Sequence, residues 1–257
     1  VGAFKILQGS AKSESSLMFG HYTYLFVLGI TFIAPFLLGF HSSVNFNRQW
    51  RKIFKGLFWI ALLYIPWDIL KTYYGVWSFN PDMISGYYLA NLPIEEVLFF
   101  VATPFACLFS YACVQYYWPQ DMAKNYAIGA KTALIFLMTL SLLVLAQHPT
   151  AWYTSSAIGV ALIMTILAYR KLNNRSFFLG VITWMILLLP FYVCNGILTG
   201  LEFWQYPFWN SHHVDIKEAV VLYNNAENVG IRIWSVPLED FFYGIGFYWI
   251  AVMNWER

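Results

Sequence analysis

Two short acidic runs hold the side chains best suited to chemistry in this chain. They are Pro93-Ile94-Glu95-Glu96 and Pro237-Leu238-Glu239-Asp240. An aromatic pair follows each, Phe99-Phe100 in the first and Phe241-Phe242 in the second. A polar residue with a Trp nine positions later precedes each: Asp68 with Trp77, and Asn195 with Trp204. The same order of features thus occurs twice. A Pro followed by Glu is also an ordinary helix start, with the acid favoured by the helix dipole. Two matched copies, each with its aromatic pair, point to function instead.

Adjacent acids on a helix point about 100° apart, so Glu95 and Glu96 cannot both aim at one substrate atom. The pair expected to act together is Glu95 with Glu239, one from each copy. Two acids in one apolar pocket share a proton, which makes a donor and an acceptor available together. Which is acid and which is base stays open. Asp68 and Asn195 are expected to orient them, with Glu96 and Asp240 beside them. Phe99, Phe100, Phe241, Phe242, Trp77 and Trp204 offer ring faces that attract positive charge. Trp77 and Trp204 equally suit a membrane-interface belt. Arg232 either pairs with Glu239 or Asp240 or snorkels to the interface.

The elements that position these groups follow from composition. Over 257 residues the chain is 60% hydrophobic, 21% aromatic and only 11% charged. So few charges cannot coat a water-facing surface, and lipid must be the solvent for much of it. Seven segments are long and apolar enough to span: about 20–40, 53–74, 92–116, 131–146, 152–169, 177–199 and 236–253. The positive-inside rule puts the N-terminus outside and the C-terminus in the cytoplasm, with ten of fifteen Lys and Arg on the inner side. Six spans with both termini outside is the alternative.

The expected architecture is an all-α membrane protein with two parallel three-helix repeats joined by a linker helix. Residues 1–18 read as a tail and 19–257 as a single membrane domain. Repeat one covers about 19–118, the linker about 125–147 and repeat two about 152–257. Helices two and six run the same way, as do three and seven, so all six polar groups collect in one half of the membrane. Pro66 and Pro190 lie just before Asp68 and Asn195, where a kink would open a cavity.

Several classes are excluded. A net charge of +2 does not suit nucleic acid. Cys107, Cys113 and Cys194 are odd in number and lie in apolar runs, which argues against disulfides or zinc. His212, His213 and Asp215 match no standard metal spacing and read as a solvated loop. No metal is expected. The aspartates are too scattered for the paired magnesium motifs of a membrane prenyltransferase. No Lys lies between Val236 and Arg257 to carry retinal.

The stretches 75–82 and 92–100 resemble the first half of the fused bacterial lycopene cyclases, and 230–244 resembles the second half. That family includes heterodimeric actinobacterial cyclases and the cyclase domain of the fungal bifunctional phytoene synthase/lycopene cyclase. The resemblance implies an isomerase that closes the linear ends of lycopene into β-ionone rings, giving β-carotene through γ-carotene. It implies a redox-neutral reaction begun by an acid and ended by a base. No Gly-x-Gly-x-x-Gly motif occurs, so no flavin or nicotinamide cofactor is expected. The expected partners are lycopene or a related linear carotenoid and the lipid bilayer, with self-association left open. A carotenoid hydratase, a cyclase of longer polyenes, or a non-enzymatic carotenoid binder or transporter are the rival readings. Two departures stand out: Glu-Asp replaces Glu-Glu in the second motif, and Asn195 stands where the first repeat has Asp68.

Overall fold

The computed structural model describes residues 20–118, 126–210, 216 and 218–257. The expected tail over 1–18, the start of the linker at 125, and His212, His213 and Asp215 lie outside the described residues. So do the basic residues Lys5, Lys12, Lys124 and Lys217 and the aspartate Asp121.

Among the described residues seven α-helices carry the fold: α1 (Thr23–Leu38), α2 (Trp50–Tyr73), α3 (Ile94–Tyr117), α4 (Tyr126–Leu145), α5 (Trp152–Lys171), α6 (Asn174–Thr199) and α7 (Leu238–Trp255). The protein is an all-α membrane protein. The first six helices, α1 together with the 3-10 turn Gly20–Tyr22 before it, are each long and apolar enough to cross a bilayer. They present large apolar side chains outward, among them Ile30, Phe58, Ile135, Ile163 and Leu189. In water such a surface would drive aggregation, whereas in lipid it costs nothing.

The seventh helix differs. Every α7 residue from Glu239 to Asn254 is buried. A helix apolar on all sides belongs in the middle of a bundle, and α7 packs against α2, α3, α5 and α6. Close approach explains its small residues and those facing it. A Cβ at Gly180 of α6 would come within 2.6 Å of the Trp249 ring of α7. That ring stacks flat on Phe177, with centroids 5.0 Å apart.

The connections into α3 and α7 are not plain loops. Backbone groups near the bilayer must find partners within the protein, and here short strands supply them. They are β1 (Trp77–Phe79), β2 (Tyr88–Leu89), β3 (Leu92–Pro93), β4 (Trp209–Asn210), β5 (Val221–Tyr223), β6 (Arg232–Ile233) and β7 (Val236–Pro237). Residues 92–93, expected in the third span, are therefore strand, and α3 begins at Ile94. Hairpin β2–β3 pairs Tyr88 with Pro93, and hairpin β6–β7 pairs Arg232 with Pro237.

These two hairpins are 144 residues apart (232 − 88 = 144), and the same offset relates their turns and bonds. Ala90 and Trp234 both take positive φ, 56° and 54°. Such a conformation is costly for a residue with a side chain, and its recurrence marks a shared tight turn. Ile94 N–H donates to Tyr87 O as Leu238 N–H donates to Ile231 O. Strand β1 pairs antiparallel with β5, with Ser78 opposite Leu222. Asn80 N–H donates to Val220 O at 2.9 Å, and Asn224 N–H donates to Val76 O at 2.9 Å. Each bond is the image of the other under that offset, so the two connections meet about a local two-fold axis.

Candidate active site

The hairpins fix where each acidic turn starts. Pro93 and Pro237 cap α3 and α7, and the two acids after each Pro fall in the first helical turn. Glu95 Oε1 accepts from Ser85 N–H at 2.6 Å. Glu239 Oε1 accepts from Val229 N–H at 2.7 Å and from the Thr154 hydroxyl at 2.6 Å. Both glutamates are fully buried and tie the preceding loop to the helix start. Neither lines the central chamber. The second oxygen of each is buried with no hydrogen-bond partner among the described residues.

The next acid on each helix, turned about 100°, faces the other way. Glu96, Asp240, Asp68 and Asn195 surround one chamber of about 40 Å³. Tyr24 donates to Glu96 Oε2 at 2.6 Å. Asp240 accepts from Tyr153, from Tyr223 at 2.9 Å and from Asn195 Nδ2 at 2.6 Å. Asp68 Oδ1 accepts from Tyr243 at 2.8 Å, and its Oδ2 has no hydrogen-bond partner among the described residues. Burial, then the Asp240 charge, pushes the Tyr223 phenol well above its usual range, so it remains a donor. Tyr24 and Tyr153 are each the second residue of a helix, α1 and α5, and each serves one of the two chamber-facing acids.

The chamber shares part of its wall with an oily cavity of about 80 Å³ between α1, α3 and α6. Phe99, Phe191, Asn195, Leu198 and Phe247 line both spaces. Pro190 also lines the oily cavity, whereas Pro66 lines neither space. Thr31 of α1 bonds Cys194 of α6 at 3.6 Å beside it. The corresponding region between α2, α5 and α7 is filled: the Tyr64 hydroxyl and Val160 press on Gly246. The polar chamber therefore meets its apolar cleft on the α1/α6 side.

Sequence spacing did not identify all of the chamber wall. Phe99 lines it, but Phe100, Phe241 and Phe242 do not. Helical pitch supplies the reason for Phe241 and Phe242. Residues three and four after Glu96 are Phe99 and Phe100; those after Asp240 are Tyr243 and Gly244. Phe241 and Phe242 stand only one and two residues after Asp240, so they point elsewhere. Phe241 packs on Trp184 with centroids 5.8 Å apart, and Phe242 is core. Phe100 is core behind Tyr64 and Tyr243. Trp77 lines the chamber; Trp204 is 61% exposed, in a short turn away from it. The 144-residue counterpart of Trp77 is Val221, which also lines the chamber. Arg232 is buried and neither grips the acids nor reaches the interface. It donates to Ser235 O at 2.6 Å and Asn225 Oδ1 at 2.8 Å, over the Tyr223 ring. Among the described residues no three His, Cys, Asp or Glu side chains gather to hold a metal.

A family model described as lycopene cyclase matches residues 21–114 and 150–256, which together include every residue around the chamber. The chain belongs to the lycopene cyclase family. Among curated relatives of the family it is similar to a bifunctional lycopene cyclase/phytoene synthase from Aspergillus oryzae, at 20% identity over 204 residues. That match covers 73% of this chain, which spans only 30% of the relative's length. No solved structure matches the chain.

Several residues of this lycopene cyclase family member escaped the sequence reading: Tyr24, Tyr153, Tyr223 and Tyr243 in the chamber wall, and Lys71 behind it. Tyrosines at helix starts read as interfacial anchors. Lys71 did carry a signal, an ionisable residue close to an intramembrane Asp.

Proposed function

We propose that this protein cyclises the linear end of a carotenoid, lycopene, to a β-ionone ring. Family membership supports carotenoid cyclisation as the class of reaction. The single observation that carries the reading is a chamber bordered by Glu96, Asp240 and Asp68 that shares a wall with an apolar cavity.

Glu96 suits the proton donor, because one phenol occupies one of its oxygens and leaves the other for a proton. Asp240 suits the acceptor, because three donors stabilise its carboxylate form. The Glu96 O–H bond breaks and its proton forms a C–H bond at the terminal double bond of the polyene. The π pair of a neighbouring double bond attacks the resulting tertiary cation and closes the six-membered ring. Asp240 takes a ring proton, and that C–H pair becomes the ring double bond. Electrons balance within the substrate, and the two acids end one proton exchanged. Return of that proton from Asp240 to Glu96 resets the site. The rings of Phe99 and Phe247 supply faces for the cation.

In this reading Glu95 and Glu239 anchor loops, and the chain is one membrane domain of two fused repeats with α4 between them. The N-terminus faces outward. The acids of both repeats border the same chamber, so it takes one polyene end at a time, with the single-ring γ-carotene released before the second ring closes. Expression in lycopene-accumulating cells with pigment analysis tests the proposal. New one-ring and two-ring products are expected; unchanged lycopene beside folded protein would overturn it. Bound but unaltered lycopene would favour a carotenoid-binding protein.

A further inference from the structure

Lys71 is a charged residue that the reaction scheme leaves unused. It lies on α2 one turn after Asp68 and has no exposed surface. Its Nζ is turned into the bundle. The ammonium donates to Ser156 Oγ of α5 at 2.7 Å. Four rings surround it: Tyr153 at 4.4 Å, Trp67 at 4.7 Å, Trp77 at 5.3 Å and Trp152 at 5.6 Å from Nζ to centroid. Ring faces stabilise a desolvated ammonium, which offsets part of the hydration it loses. The acids that act on it are Asp68 on its own helix, Asp240 and Glu239 on α7, and Glu227 in the turn after β5.

Two of those rings serve both sides. Trp77 and Tyr153 also line the chamber, and Tyr153 donates to Asp240. The ammonium therefore stands directly behind the wall nearest Asp240. Phe99, Phe191 and Phe247 form another part of the wall, and none of them belongs to the box around Lys71.

We propose that Lys71 is a positioning residue that gives the chamber its polarity: it holds Asp240 as the proton-accepting carboxylate and biases the substrate cation toward Phe99, Phe191 and Phe247. The proposal rests on the cyclase reading above. A fixed positive charge stabilises a nearby carboxylate and repels a second cation, and low polarity lengthens the reach of both effects. Rings already polarised by an ammonium have less to offer a carbocation. The same charge that sustains the base thus clears one wall and leaves the phenylalanine wall for the cation.

The test compares the wild-type chain with K71M, K71R and S156A in lycopene-loaded vesicles, measuring ring formation against pH. Without the ammonium, Asp240 keeps its proton to higher pH. The acid limb of the K71M profile should then move to higher pH, with the maximal rate lowered roughly tenfold or more. K71R should restore the limb toward the wild-type position. A K71M profile of unchanged shape, whether the rate is normal or reduced, overturns the proposal, because packing alone does not move a titration. If K71M does not accumulate as folded protein, S156A decides: it frees the ammonium from its anchor, and an unmoved limb overturns the proposal. If the wild-type chain forms no ring, the cyclase reading falls first and this inference with it. If the wild type cyclises and the variants keep its profile, only the role of Lys71 falls.

Discussion

Glu95 and Glu239 make the same hydrogen bond in the two halves of the chain. Each accepts, through Oε1, the backbone N–H of the residue ten positions before it, at 2.6 and 2.7 Å. Each is fully buried, and each stands beside an acid that borders the chamber. The duplicated motif therefore divides its labour, with the first acid holding the loop and the second facing the chamber.

Glu95→Ala leaves the Ser85 N–H buried without an acceptor, which costs about 1–3 kcal/mol. Its melting temperature in detergent should fall accordingly. Glu95→Gln keeps an acceptor oxygen and should retain most of the stability and most of the ring formation. Loss of all activity in a folded Glu95→Gln protein would return this residue to the chemistry.

Glu96→Gln and Asp240→Asn remove the proposed donor and acceptor with little change of shape. Each should lower ring formation by roughly 100-fold or more, while lycopene still co-purifies with the protein. Pigment extraction from purified variants measures both quantities. Near-wild-type turnover in either would move the reaction away from the chamber.

Tyr153→Phe takes one of three donors from Asp240, whereas Tyr24→Phe takes the phenol hydroxyl from Glu96. Hydrogen bonds to charged groups contribute about 1.5–3 kcal/mol. If Asp240 is the acceptor, Tyr153→Phe should shift the acid limb of the rate profile to higher pH. The Tyr24→Phe change should leave that limb in place and lower the rate at its plateau. Identical profiles for the two variants would contradict the division of roles.

Cys194 borders the apolar cavity beside Thr31. Cys194→Phe should fill that space and raise the apparent KM for lycopene, with a destabilisation of about 1–3 kcal/mol. Ala161 is buried on α5, on the filled side of the bundle. Ala161→Phe there should destabilise without a matching rise in KM. Kinetics and melting curves on both variants separate passage from packing.

Gly180→Ala tests the central helix. The added methyl would come within 2.6 Å of the rigid Trp249 ring, which has Phe177 stacked flat on it. The ring has little room to yield, so a loss of about 1–3 kcal/mol is expected. An unchanged melting temperature would mean that α6 and α7 pack less tightly than described.

Composition and spacing alone made the membrane setting, the duplication and the acidic turns legible. Those properties are local: a span needs only length and apolarity, and an acid after a Pro needs only its own helix start. Only the tertiary structure decided which acid of each pair faces inward, because that depends on the hairpins fixing the rotation of α3 and α7. It also decided that α7 is enclosed by the other helices, which hydropathy cannot distinguish from a lipid-facing span. The tyrosines around the acids and the ammonium behind Trp77 come from α1, α2, α5, α7 and β5. No spacing rule links residues that meet only when separate helices pack, so the chamber's hydrogen bonds and its open side existed only in the assembled bundle.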